Sequence, residues 1–140
     1  MREKILGLLG LMRRACAVSP GEYQAGDMVK AGKAKLLLLS ADVSDNARRK
    51  AENAAAGRNV QKIPLPFDRG ELGAALGLGS CSLAAVTDLG FADALMKLLE
   101  AQWPEEYAEA AQKVRERSEK AARRKAQKGS KQVGTRRTKA

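Results

Sequence analysis

Few side chains in this 140-residue sequence are equipped to make or break a bond. Histidine is absent, so the hydroxyls and thiol that could act as nucleophiles, Ser40, Ser80, Ser82 and Cys81, lack the usual base. There is no GxSxG elbow and no Walker-type loop. The LGLGS stretch, Leu76 to Ser80, precedes a strand-like run instead of opening a helix, so it lacks the setting of a dinucleotide fingerprint. The carboxylates are scattered, and Asp45, Asp68 and Asp88 stand where helices should start, a place that suits capping better than acid–base work. Cys16 and Cys81 form no CxxC pair and have no ligand cluster around them, so neither a zinc site nor a disulfide framework is supported. Both are expected to be small apolar thiols in or near the core. The sequence reads as that of a non-catalytic protein with no metal site and no cofactor.

What remains is recognition chemistry, concentrated in GEYQAGDMVKAGKAKLLLLSADVS, Gly21 to Ser44. Gly21 begins a helical stretch whose first backbone N–H groups can face an anion. Tyr23 offers a ring on which a base could stack, and Gln24 an amide that both donates and accepts. Lys30, Lys33 and Lys35 stand directly ahead of four consecutive leucines. A second candidate surface is the loop from Leu78 to Ser82, where Gly79, Ser80, Cys81 and Ser82 could present hydroxyls and backbone N–H groups to an unpaired nucleotide. Each feature has a plainer explanation. Lysines favour a helix C-terminus, glycine and serine make turns, and a tyrosine can be an ordinary half-buried aromatic.

The elements that must position these residues follow from periodicity. Ile5, Leu8, Leu9 and Met12 make an amphipathic helix over 3–14, ended by Arg13 and Arg14. ACAVSP leads to Gly21 and a helix to Ala31, which Gly32 terminates in the left-handed conformation. KAKLLLLS is of strand length and apolar throughout, as expected of a strand covered on both faces. Ser44 or Asp45 caps an alanine-rich helix to about Ala56, and VQKIPL is a short strand whose proline places it near an edge. Asp68 and Glu71 form a capping-box pattern opening a helix with Leu72, Ala75 and Leu76 inside. SLAAVTD is another buried strand, and a helix from about Leu89 buries Phe91, Leu95, Leu98 and Leu99. This alternation predicts an α/β sheet between helices. If the elements do alternate around one sheet, Gly21 and the 79–82 loop can be neighbours in space.

Charge is unevenly placed. The net value is +10. Residues 112–140 hold 12 Lys and Arg against 2 Asp and Glu, so that end carries an excess equal to the total. Such an end attracts polyanions. Pro104 starts a final helix whose apolar stripe, Tyr107, Ala110, Ala111, Val114, Ala121 and Ala122, is thin enough that the helix is expected to be mobile or partly extended in isolation. From Lys128 the expectation is disorder. The chain should divide into a folded domain, 1–101, and a basic helical extension with a disordered tail, 102–140. No signal-peptide pattern and no apolar run of membrane-spanning length are present, so the chain is expected to be cytoplasmic, with no membrane partner. The oligomeric state is left open, a monomer being the default.

The string VSPGEYQAGDMVKAGKAKLLLLSADVS, then LGAALG, then AAVTDLGFADAL resembles the bacterial branch of the ribosomal protein L7Ae/L30e superfamily, and is most similar to its small YlxQ-type proteins. The resemblance runs in one register from about Lys4 to Leu99. It implies a three-layer α-β-α sandwich with a mixed four-stranded sheet. It also implies binding of structured RNA, with ribosomal RNA foremost and kink-turns a frequent target, without catalysis or cofactor. The contact residues it implies are Gly21, Tyr23, Gln24, the lysines 30, 33 and 35, and the 79–82 loop. This chain departs from the kink-turn binders, which follow the glycine matching Gly21 with an Asn-Glu pair and, three residues after the Glu, a lysine. Here Tyr23 and Gln24 replace the pair and Asp27 replaces the lysine. Those replacements motivate a competing expectation, a protein-interaction adaptor that keeps the fold without specific RNA recognition.

Overall fold

The computed structural model describes residues 2–58 and 60–124, and the backbone of the last helix through Lys139. The order is α1 (Arg2–Arg14), β1 (Val18–Pro20), α2 (Glu22–Lys30), β2 (Leu36–Leu39), α3 (Asp45–Ala55), β3 (Gln61–Pro64), α4 (Arg69–Ala75), β4 (Leu83–Val86), α5 (Leu89–Gln102) and α6 (Pro104–Lys139). The four strands form one sheet in the order β1-β4-β2-β3. β2 pairs with β3 in parallel and with β4 antiparallel, and β1 pairs antiparallel with β4. The expected three-layer α-β-α sandwich with a mixed four-stranded sheet is therefore the fold. β1 is a strand the periodicity did not reveal, because three residues ending in a proline show no alternation. As an edge strand it tolerates that proline.

The two faces divide by the period of two that a strand imposes. Leu36, Leu38, Ala84, Val86, Val18 and Ile63 point into one core with α1, α5 and Phe67. Leu37, Leu39, Leu83 and Ala85 point into the other, covered by Ala25 and Val29 of α2 and Ala47, Ala51 and Ala54 of α3. The four leucines of β2 are each at most 6 % exposed, so each contributes about 1.5–3 kcal/mol of apolar burial. Helix ends follow the expected chemistry. Ser44 accepts from the Ala47 N–H, Asp68 and Glu71 make a reciprocal capping box, and Asp88 accepts from the Phe91 N–H. Gly32 ends α2 at φ +74°.

The cysteines differ from each other. Cys81 is buried, as expected, whereas Cys16 is exposed and sits at φ +57°. It occupies the left-handed position after α1: the Cys16 N–H bonds to Arg13 O and the Ala17 N–H reaches back to Met12 O, with Ala17 and Met12 both buried beneath the turn.

α6 corrects the expectation of a loosely held helix. Tyr107, Ala111 and Val114 are buried in the α1–α5 core, and the Tyr107 hydroxyl donates to Pro64 O at 2.5 Å. Trp103 packs edge-on against Tyr107, with ring centroids 6.3 Å apart. The core thus continues past the expected boundary at 101/102. The stripe ends there: Ala121 and Ala122 are exposed. The disorder expected from Lys128 lies outside the described residues. Among the described residues, no helix is long and apolar enough to cross a membrane.

Burial, reinforced by the nearby Glu106 carboxylate, pushes the Tyr107 hydroxyl up to about 12. The folded state therefore keeps this proton through a range in which the unfolded chain, at about 10, loses it. The linked stability is present below pH 10 and falls as pH rises towards 12. Urea midpoints measured against pH should show this fall in the native protein and lack the Tyr107 component in Tyr107→Phe. At neutral pH that variant should be about 1 kcal/mol less stable, from the lost hydrogen bond.

Candidate nucleic-acid interface

The start of α2 and the loop before β4 meet at one end of the sheet. Gly21 adopts φ +111° and ψ 148°, a region L side chains rarely enter, and it turns the chain from β1 into α2. Its N–H donates to Leu83 O at 2.8 Å, which ties the helix start to the first residue of β4. Gly21 has no side chain to cap α2, and among the described residues no side-chain cap hydrogen bond closes its start. The Gln24 amide lies against Gly21, since a Cβ added there would sit 3.6 Å from Gln24 Oε1.

Tyr23 is 78 % exposed, the most open of the large apolar side chains among the described residues, which removes the half-buried alternative. Lys50 of α3 places its Nζ 5.0 Å from the Tyr23 ring centre and 3.2 Å from Glu22 Oε2. The hydrogen bond to Glu22, with the charge of the Tyr23 and Glu22 groups, holds the Lys50 amine above its ordinary pKa. Lys50 was not singled out from sequence. It belongs to the Arg48, Arg49, Lys50 run on the outer side of α3, and only the packing of α2 on α3 brings it beside the tyrosine.

The loop is held by α4. The Leu78 N–H donates to Gly73 O at 2.7 Å, and the Cys81 N–H to Arg69 O at 3.0 Å. Arg69 is in turn gripped by Asp42, its N–H at 2.8 Å and its Nε at 3.3 Å from the two carboxylate oxygens. Desolvation works to raise the Asp42 pKa, but the hydrogen bonds from the Arg69 N–H and guanidinium outweigh it and hold the carboxyl low. Gly73 is required by contact: a Cβ there would come within 2.7 Å of Ser80 Cα and 2.8 Å of Ser80 N. A glycine inside a helical pattern was the sequence signal for this packing, and it was passed over.

The candidate residues separate into three groups. Gly79 and Ser80 are exposed and Ser82 is half-buried, so the loop presents polar groups beside the Gly21 turn. Cys81 is corrected as a contact residue: it is 4 % exposed, its Sγ donates to Leu83 O at 3.1 Å, and its N–H is bound to Arg69. Burial pushes its thiol up, which leaves it inert. Lys30, Lys33 and Lys35 are not part of this surface. Lys30 is the last residue of α2, about 14 Å of helix away from Gly21, and Lys33 and Lys35 follow it. Lys35 donates its N–H to Val86 O at the far end of the sheet from Leu83.

Asp27 and Gln24 share an open groove over the β1 edge with Arg13, Ser19, Pro20 and Met28, about 380 Å³ in volume. The carboxylate that replaces the expected lysine therefore has an arginine from α1 lining the same groove. No arrangement of three or more metal-ligating side chains occurs among the described residues.

Comparison with known proteins identifies the family. The sequence profile of the ribosomal protein L7Ae/L30e/S12e/Gadd45 family matches residues 3–96. The chain is 37 % identical over 95 residues to "RNA-binding protein YlxQ" of Bacillus subtilis (strain 168), a match covering 66 % of this chain and 92 % of that protein. Among solved structures, a protein of unknown function from Bacillus halodurans C superposes with a TM-score of 0.64 at 30 % identity, covering 69 % of this chain and 97 % of that one. The Giardia lamblia 15.5kD RNA binding protein shares the fold at a TM-score of 0.56 and 22 % identity, over 69 % of this chain and 85 % of that one. The chain belongs to the ribosomal protein L7Ae/L30e/S12e/Gadd45 family. The family match ends at Met96, before α6 begins.

Gly73→Ala should disturb the loop without unravelling the sheet. The expected result is a loss of roughly 1–3 kcal/mol, the usual cost of overpacking, with amide chemical-shift changes concentrated at residues 78–82. Shifts spread evenly over the protein, or no loss of stability, would contradict the contact.

Proposed function

We propose that this member of the L7Ae/L30e/S12e/Gadd45 family is a non-catalytic RNA-binding protein that holds unpaired nucleotides of a structured RNA between the start of α2 and the 79–82 loop. The observation that carries the reading is the open Tyr23 ring and Gln24 amide at the uncapped start of α2, tied by Gly21 to the loop before β4. The identity to a relative named as RNA-binding supports it.

Each part has a physical role. The first-turn N–H groups of α2 attract a phosphate. Tyr23 stacks a base on the ring face that Lys50 does not cover, while Lys50 adds a cation beside the same nucleotide. Gln24 pairs with a base edge, and Gly79 and Ser80 contribute backbone N–H and hydroxyl groups. Ribosomal RNA and kink-turn-containing RNAs are the first targets to test. Tyr23, Gln24 and Asp27 replace the usual contacts there, so recognition rests on stacking and on Arg13 and Lys50 as the nearby cations instead of a lysine at position 27.

Tyr23→Ala and Gln24→Ala should each weaken binding to a structured RNA bearing an internal loop, the tyrosine variant by about 1–3 kcal/mol, near tenfold or more. Thermal stability should stay unchanged, because both side chains are exposed. Unaltered RNA affinity in both variants, together with a nuclease-resistant complex with another protein, would favour the adaptor reading instead.

A further inference from the structure

The direction of α6 decides where the basic end of the chain goes. Tyr107 is hydrogen-bonded to Pro64 O, at the end of the sheet where Leu39 pairs with Pro64 and with Leu83. Ten residues later, about 15 Å along the helix, Arg117 Nη1 donates to Lys35 O at 3.4 Å. α6 therefore runs antiparallel to β2, from the end of the sheet that carries the Gly21 turn to the end that carries the lysines. Among the described residues Val114 is the last that is buried, Arg117 and Ser118 are half-buried, and residues 119–124 are all exposed. The helix leaves the folded body at Lys35, on the side away from Tyr23 and the 79–82 loop.

Beyond that exit the chain is cationic. Lys120, Arg123 and Arg124 stand against Glu119, and residues 125–140 add six Lys and Arg with no acid. Lys30 and Lys33 are exposed at the same rim, with Asp27 one turn back along α2 as the nearby acid. Single exposed cations are screened within about 8–10 Å by salt, but several acting on one polyanion release counterions together.

We propose that the rim of Lys30, Lys33 and Lys35 and residues 117–124 of α6 form a second binding surface, separate from the first, for the backbone phosphates of an RNA duplex. The duplex is the stem flanking the nucleotides held at the Gly21 end, so the inference rests on the RNA reading of that site. Its cations meet phosphates, and the deep, narrow major groove of an RNA duplex keeps the base edges out of their reach, so the surface is blind to sequence. A lipid surface fits less well. Between Ser118 and Ala140 the only apolar residue larger than alanine is Val133, which leaves no apolar face to enter a membrane interface.

The test uses the full chain with K30Q/K33Q/K35Q and, separately, K120Q/R123Q/R124Q, and two hairpin RNAs that share an internal loop but differ in stem length. Each variant should flatten the slope of log Kobs against log salt by about 1–3 on the long-stem RNA, with little effect on the short-stem RNA and none on preference among loop sequences. Tyr23→Ala should do the reverse, weakening both RNAs with the slope retained. Unchanged slopes in both lysine and α6 variants, with Tyr23→Ala still weakening binding, would overturn the second surface and leave the first standing. Failure of the native protein to bind either RNA would remove both. Binding to phosphatidylserine vesicles that the variants abolish, without any change in RNA slope, would assign the surface to lipid and overturn the proposal.

Discussion

The structure depends on β2 being buried on both of its faces. Four leucines in a row leave no polar side for solvent, so the strand is stable only if helices cover it above and below and strands pair with both its edges. Each neighbour answers one part of that demand. β3 and β4 satisfy its backbone, α2 and α3 cover Leu37 and Leu39, and α1, α5 and the first turns of α6 lie over the core that takes Leu36 and Leu38. Small residues accompany this arrangement. The buried face of α3 consists of alanines, which let the helix lie close to the sheet, and Ala84 and Ala85 of β4 fill the space left beside the leucines.

The candidate site grows from the ends of these elements, not from a dedicated insertion. Gly21 turns a three-residue edge strand into a helix, and the Gly21–Leu83 hydrogen bond makes that turn and the start of β4 one rigid unit. α4 is short, yet Asp42, Arg69 and Gly73 make it the support for the neighbouring loop. Position is thus fixed by backbone hydrogen bonds and one close contact, while the exposed side chains, Tyr23, Gln24 and Ser80, are left free for a ligand. That division suits recognition: a rigid frame lowers the ordering cost of binding and leaves the contact groups in water until they are used.

Legibility in the sequence varied with the kind of signal. Long periodic segments such as Ile5 to Met12, and chemically explicit ends such as Ser44, Asp68 with Glu71, and Asp88, were readable because the physics acts within a few residues. β1 was not, since a strand of three residues gains its stability from pairing with β4, a partner more than sixty residues away. α6 was misjudged for a related reason. Its stripe looked too thin, but Tyr107 finds Pro64 O and Val114 finds a place in the core, and neither partner is local. Lys50 and Arg13 likewise became part of the site through packing between helices.

The sequence by itself determined the layers, the caps, the buried central strand and the residue types available for recognition, because these depend on side-chain periodicity, backbone preference and charge. It also set the family, through a register of turns and apolar runs that continues over most of the folded part. Tertiary structure alone decided which of the candidate residues act together. Gly21 to Lys35 reads as one continuous contact stretch, yet a nine-residue helix lies within it and carries the lysines to the opposite rim of the sheet. The same geometry moved Cys81 inside and aimed the basic end of α6 past Lys35, because a helix packed along the strands must finish at one end of them or the other.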